Sequence, residues 1–183
     1  DLNLKRSQKN FKLALNDLKK VPNPKLKKAN SDITIYEFFD YNCGYCKSVM
    51  QNIFNIYKKD KNIEIVFVEY PILSNSSLSA AIASLAARNQ NKYFELHSKL
   101  MKHTGKIDDK LLLSFAKELN IDTTKLKNDY SNEKLMLIIN KNREIANRLN
   151  LRGTPAFIIG NKVYPGAMSE EDLEKAIALE RKR

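Results

Sequence analysis

The stretch "YEFFDYNCGYCKSVM", residues 36–50, holds the only two cysteines of a 183-residue chain, Cys43 and Cys46. The hydrophobic period changes within it. The run "ITIYEFF" (33–39) is β-branched and aromatic, which reads as a buried strand. Beyond the cysteines, Val49, Ile53 and Tyr57 recur at helical spacing to about Lys58. The pair therefore sits where a strand hands over to a helix, and Cys-x-x-Cys at such a junction is a redox arrangement. Unpaired N–H groups and the dipole at a helix start favour a thiolate on the first cysteine. The second, one turn on, is close enough to attack a mixed disulfide formed by the first. These rules predict Cys43 as an exposed nucleophile with a pKa of roughly 4–6, assisted by the charge of Lys47, and Cys46 as the buried resolving thiol.

Other uses of two cysteines fit less well. A buried structural pair makes poor sense of Gly44-Tyr45 between them at a helix start. A structural disulfide closing so small a loop would stabilise little. Zinc would need His97 and His103, roughly 50 residues away and unlike a finger in spacing; on one helix they would point about 120° apart. His97 reads instead as a helix-face residue beside Phe94 and Leu100. A copper-binding or chaperone protein using the two cysteines as soft ligands stands as a rival from a different class.

Outward from the cysteines, "IEIVFVEY" (63–70) is a second strand, stopped by Pro71. Two strands joined through a helix should be parallel, with a right-handed crossover. Residues 75–149 turn helical. Leu78, Ile82 and Leu85 mark one helix, Tyr93 to Met101 a second, and Leu111 to Leu119 a third. Asp122 caps a short fourth, and Leu135 to Leu149 form a fifth. After "LRGTP", "AFIIG" and "KVY" form a hairpin through Gly160-Asn161. Ser169, with Asp172 three residues later, opens a last helix. At the other end, residues 2–20 read as a helix in which Leu4, Phe11 and Leu18 recur every seven residues, with Ala14 and Leu15 between them. That seam makes residues 1–20 a candidate for self-association; the alternative is a helix folded back onto its own chain. "VPNPKLKKANSD" reads as a linker. The sum is an α/β architecture with a helical insert.

Hydrophobic content of 43% and charged content of 29% suit a globular protein. No apolar run approaches the ~18 residues of a membrane-spanning helix. The first residue is Asp1, which fits either a mature chain freed of a signal peptide or a trimmed one. The formal net charge is +11, from 25 Lys and 7 Arg against 21 acids. The lysines look scattered and there is no Trp, so the charge reads as a solvated basic surface rather than a nucleic-acid groove. Weak attraction to anionic lipid or acidic partners stays open.

"EFFDYNCGYC", followed far downstream by "GTPAFIIGNKVYPGAMSEEDLEKAI", resembles the DsbA-type thiol–disulfide oxidoreductases of bacterial envelopes, and among them the ScsC-like (suppressor of copper sensitivity) proteins of proteobacteria. The likeness runs over residues 30–183. It implies an α/β thioredoxin fold with an N-terminal helix (1–20). The thioredoxin domain would be made from 21–71 and 151–183, with an inserted α-helical domain at 72–150. It implies a periplasmic home, where an oxidising compartment suits a chain whose only cysteines are catalytic. By the same likeness, Thr154-Pro155 is a cis-proline loop that binds the client backbone. Glu37 becomes a buried acid that moves the Cys46 proton, the alternative being a surface charge at a sheet edge. Gly44 and Tyr45 set the redox poise: no histidine stands there, and Gly-Tyr with Thr before proline is similar to isomerase-type sites. The activity implied is protein disulfide isomerisation, with dithiol oxidation as the same-class alternative. No cofactor or metal is needed. The partners implied are misfolded or reduced secreted proteins and a membrane redox partner, and no nucleic acid.

Overall fold

The computed structural model describes residues 1–183. The two predicted strands form as β2 (Ile33–Phe39) and β3 (Ile63–Glu69), parallel and in register from Ile33–Ile63 to Phe39–Glu69. Both are buried over most of their length, because apolar layers cover both sheet faces. The crossover helix α2 (Gly44–Lys59) starts at the cysteines. The hairpin is β4 (Ala156–Ile159) and β5 (Lys162–Pro165), with β4 antiparallel to β2. Inside "VPNPKLKKANSD", read as linker, the structure contains a short strand, β1 (Lys25–Lys27), antiparallel to β3. Its Lys25 pairs with Glu64 on the neighbouring strand at 3.3 Å. Three alternating residues directly after two prolines carry too little periodicity to register as a strand. The sheet order is β1-β3-β2-β4-β5.

Five helices separate β3 from β4: α3 (Asn75–Arg88), α4 (Tyr93–Lys102), α5 (Asp109–Glu118), α6 (Thr123–Tyr130) and α7 (Glu133–Arg148). Side chains of Ser74, Asp108, Asp122 and Asn132 cap four of their N-termini. Asn91, Asn120 and Asn150 follow three of their C-termini at positive φ, where asparagine is the usual substitute for glycine. The last helix, α8 (Glu170–Arg181), is capped by Ser169, which accepts from the Asp172 N–H. No helix is long and apolar enough to cross a membrane.

The sheet divides the apolar interior in two. On one face, Ile35, Phe39, Ile65, Phe67, Phe157 and Ile159 join α2, α8 and residues of α3 to α7 in one continuous cluster that includes Cys43 and Cys46. On the other, Tyr36, Phe38, Val66, Val68 and Ile158 meet α7 and the N-terminal helix α1 (Leu2–Lys20). Helix α1 is folded back onto its own chain: Ala14, Leu15 and Leu18 are buried there and Phe11 packs against them. The heptad seam is therefore not available as a whole to a second chain, since Leu18 is fully enclosed while Leu4 is exposed. Leu18→Ala is expected to destabilise the protein by roughly 2–5 kcal/mol, read from urea unfolding. A change below about 1 kcal/mol would mean that α1 docks without contributing to the core.

Candidate active site

Cys43 is the N-cap of α2. Its backbone is extended (φ −83°, ψ 113°), and its sulfur accepts the Cys46 backbone N–H at 3.1 Å. The Cys43 thiol also lies 3.4 Å from the Thr154 carbonyl oxygen, so β4's leading loop meets the helix start at the sulfur. The Thr154-Pro155 peptide is cis. Hydrogen bonding from the Cys46 side chain, then from the Thr154 side chain and the Cys46 N–H, outweighs burial and the nearby Asp40 charge. The Cys43 pKa falls to about 6. Burial and the hydrogen bond to Cys43 drive Cys46 far the other way. One sulfur therefore ionises below neutral pH while its neighbour keeps its proton.

Cys43 was expected to be exposed, yet only 6% of its surface is. The Thr154–Pro155 loop and the helix start close over it, because the contacts that stabilise its thiolate also cover it. Outside this notch Tyr45 stands 72% exposed. A Cβ at Gly44 would meet nothing within 4 Å, so open space rather than packing surrounds that position.

The family model for the DSBA-like thioredoxin domain matches residues 34–178. The chain belongs to that family.

Among solved structures, a thioredoxin-like oxidoreductase from Silicibacter pomeroyi is 35% identical with a TM-score of 0.88, covering 92% of this chain and 98% of that one. The thiol-disulfide exchange protein alpha-DsbA2 of Wolbachia pipientis is 27% identical with a TM-score of 0.87, covering 98% of each chain. The catalytic domain of Proteus mirabilis ScsC, 23% identical with a TM-score of 0.87 over 96% of this chain and 99% of that one, shares the fold. The first curated relatives are Na(+)/H(+) antiporters NhaA of two Salinispora species, 24% and 22% identical over 147 residues. The match takes in 79% of this chain but only 22% of their length.

Beneath the cysteines of this DsbA-like domain lie three buried carboxyl groups. Glu37 is on β2 and 2% exposed, which rules out the surface-edge reading. Burial, with the Cys43 charge, pushes its pKa up to about 8. Asp40, at the end of the same strand, is enclosed by donors. Its Oδ1 accepts from the Asn42 N–H at 2.8 Å and the Ser77 hydroxyl at 2.7 Å, and its Oδ2 from the N–H groups of Ile72 and Leu73 at 2.8 and 3.0 Å. The Cys43 N–H meets the Asp40 carbonyl at 3.0 Å. Asp40 thus ties the cysteine loop to the segment entering α3.

Glu69, on β3, is the third. Its Oε1 accepts from the hydroxyls of Tyr41 and Tyr93, each at 2.8 Å, and burial holds its pKa well above the carboxylate range. His97 Nδ1 lies 3.0 Å from the Tyr41 oxygen. Burial lowers its pKa to about 3, so the ring is neutral and donates Nδ1–H to a phenol whose own proton goes to Glu69. His97 is therefore a core histidine among Phe39, Phe67 and Tyr93, not only a neighbour of Phe94 and Leu100. Neither Asp40 nor Glu69 was singled out by sequence. The available signal was the one that flagged Glu37: an acid inside an apolar strand run.

Lys47 differs from expectation. Its ammonium donates to the carbonyls of Leu100 (3.2 Å) and His103 at the end of α4, and burial lowers its pKa. It ties α2 to α4 by these hydrogen bonds, and the Cys43 charge acts on it only as a lesser influence beside burial. Absorbance of the reduced protein at 240 nm is expected to report one thiolate titrating near pH 6. A midpoint near 8.5, that of a free thiol, would contradict the hydrogen-bonded site.

Proposed function

We propose that the chain catalyses thiol–disulfide exchange on protein clients in the periplasm and works chiefly as a disulfide isomerase. The observation that carries this is the Cys43 sulfur held by the Cys46 N–H and set against the Thr154–Pro155 loop, surroundings that with the Cys46 side chain bring its pKa down to about 6. That value lies between the roughly 7 of thioredoxin and the roughly 3.5 of the strongest oxidants. A thiolate of intermediate stability leaves the dithiol/disulfide couple neither strongly reducing nor strongly oxidising. The periplasmic reading rests on a chain whose two cysteines form this one pair.

The Cys43 thiolate attacks a client disulfide. A bond forms between Cys43 and one client sulfur, the client S–S bond breaks, and the second client sulfur leaves as a thiolate. If another client thiolate then attacks the sulfur bonded to Cys43, the client is rearranged and Cys43 regenerated with no net oxidation. If Cys46 attacks instead, the client leaves reduced and a Cys43–Cys46 disulfide remains. Net oxidation is the reverse of that second route, recharged by a membrane redox partner. Cys46 must lose its proton to attack. Glu37, whose pKa burial and the Cys43 charge raise to about 8, takes that proton in its ionised form, which gains population once the mixed disulfide removes the Cys43 charge. The backbone at Thr154 and Pro155 is placed to hold an extended client segment beside the sulfur.

A second reading, net oxidation by single chains, is favoured by α1 packing into its own core. Refolding of a scrambled substrate against oxidation of a reduced peptide separates the two. Isomerisation predicts recovery of the scrambled substrate at catalytic concentration; oxidation of the peptide alone would reverse the assignment. Tyr45→His is expected to make the pair a stronger oxidant, because a cation beside the thiolate favours the reduced form. Each ~30 mV rise in potential corresponds to about 1.4 kcal/mol favouring the dithiol. An unchanged potential in glutathione equilibrium would remove the dipeptide from this account.

A further inference from the structure

The positive charge of this chain is concentrated. Helix α1 carries Lys5, Arg6, Lys9, Lys12, Lys19 and Lys20 against the single acid Asp17. That places +5 of the formal +11 in 19 of 183 residues, and all six cations are exposed. At 3.6 residues per turn, Leu2, Arg6, Lys9, Leu13 and Lys20 fall on one stripe, opposite the face that buries Ala14, Leu15 and Leu18. Leu2 and Leu13 are 85% and 48% exposed within it. Lys5, Arg6, Lys9 and Lys12 form no ion pair, whereas Asp17 is taken up by Arg148 at 2.7 Å and Lys20 at 3.6 Å.

The surface continues onto α7. A cleft of about 610 Å³ between the two helices has Lys20, Arg88, Lys134 and Lys141 around an apolar lining of Val21, Leu135 and Ile138. Leu137 protrudes beside it, 58% exposed. The two acids on this rim are both matched, Asp17 by Arg148 and Lys20 and Glu144 by Lys141 at 3.3 Å. Unpaired cations on one helix face repel each other, and leucines among them gain nothing from water. Both features are relieved at an anionic lipid interface, where headgroups supply countercharge and apolar tips enter the headgroup boundary. A nucleic acid would use arginines and stacking aromatics; this stripe has one arginine and no aromatic residue.

We infer that the outer face of α1, extended by Lys134, Leu137 and Lys141, docks the protein on anionic phospholipid membranes. Helices α1 and α7 cover the sheet face opposite α2. A bilayer against α1 therefore leaves the Cys43 notch free to receive clients at the membrane surface.

Flotation of the full chain with vesicles of about 30% phosphatidylglycerol in phosphatidylcholine tests this, since each surface cation contributes roughly fivefold to partitioning on an anionic bilayer. Binding is expected at low salt, weakening as salt shortens the screening length, and absent on pure phosphatidylcholine. The triple variant Lys5→Glu, Lys9→Glu, Lys12→Glu should lose about 100-fold or more. Lys110→Glu, Lys117→Glu, Lys125→Glu, with the same change in net charge on α5 and α6, should lose far less. Leu2→Ser with Leu13→Ser should weaken binding at constant charge. Circular dichroism and dithiol exchange should be unchanged in all three. Equal losses in the two lysine variants, no binding to the anionic vesicles, or retention on duplex DNA exceeding that on vesicles would overturn the proposal.

Discussion

Cys46→Ser is expected to turn the protein into a trap. Mixed disulfides between Cys43 and client chains should accumulate to a major fraction of the protein, while Cys43→Ser should form none. The asymmetry follows from the two sulfurs' surroundings. With a pKa of about 6, Cys43 is about nine-tenths thiolate at pH 7, and the thiolate is the attacking species. Cys46, fully buried and driven upward in pKa, keeps its proton until a mixed disulfide forms beside it. Serine at position 46 retains a hydroxyl able to donate to the Cys43 sulfur, so attack persists while resolution stops. Non-reducing electrophoresis with mass spectrometry of the adducts reads the result. Adducts carried by Cys46 in the Cys43→Ser variant would exchange the two roles.

Asp40→Ala is expected to cost roughly 3–5 kcal/mol of stability, because four donors lose a charged acceptor at once: the buried Ser77 hydroxyl left unpaired costs about 1–3 kcal/mol, and three part-buried N–H groups that water can reach add the rest. The N–H groups of Asn42, Ile72 and Leu73 and the Ser77 hydroxyl all end on this one carboxylate. The loss should also be local. The cysteine loop and the entry to α3 are joined through it, so hydrogen exchange should quicken at Asn42, Cys43, Ile72 and Leu73 before the rest of the sheet. Urea unfolding and amide exchange measure both effects. A stability loss under about 1 kcal/mol, with the loop amides still protected, would show that the backbone path alone holds the loop.

How much of this was legible depended on distance along the chain. Strands β2 and β3, the start of α2 at the cysteines and the helical run from α3 to α7 are local patterns. Periodicity, caps and breakers within a dozen residues specify them, and each forms where its pattern predicts. The cysteine pair was legible for the same reason, since its spacing and its place at a helix start are local. What lay beyond reach were relations between segments far apart. The folding of α1 onto β2, β3 and α7 depends on which apolar face Leu15 and Leu18 meet, and a seven-residue recurrence fits an intermolecular seam equally well. Covering of the Cys43 sulfur comes from Thr154, 111 residues downstream. Asp40 binds groups 32 to 37 residues away, and Glu69 joins Tyr41 and Tyr93 from two other elements. The sequence by itself determined which segments become helix or strand and where the reactive sulfurs begin. Only the tertiary structure decided which acids are buried, which carbonyls take up the Lys47 ammonium and which face stays charged. Burial and long-range hydrogen bonding are properties of packed surfaces, not of any one segment.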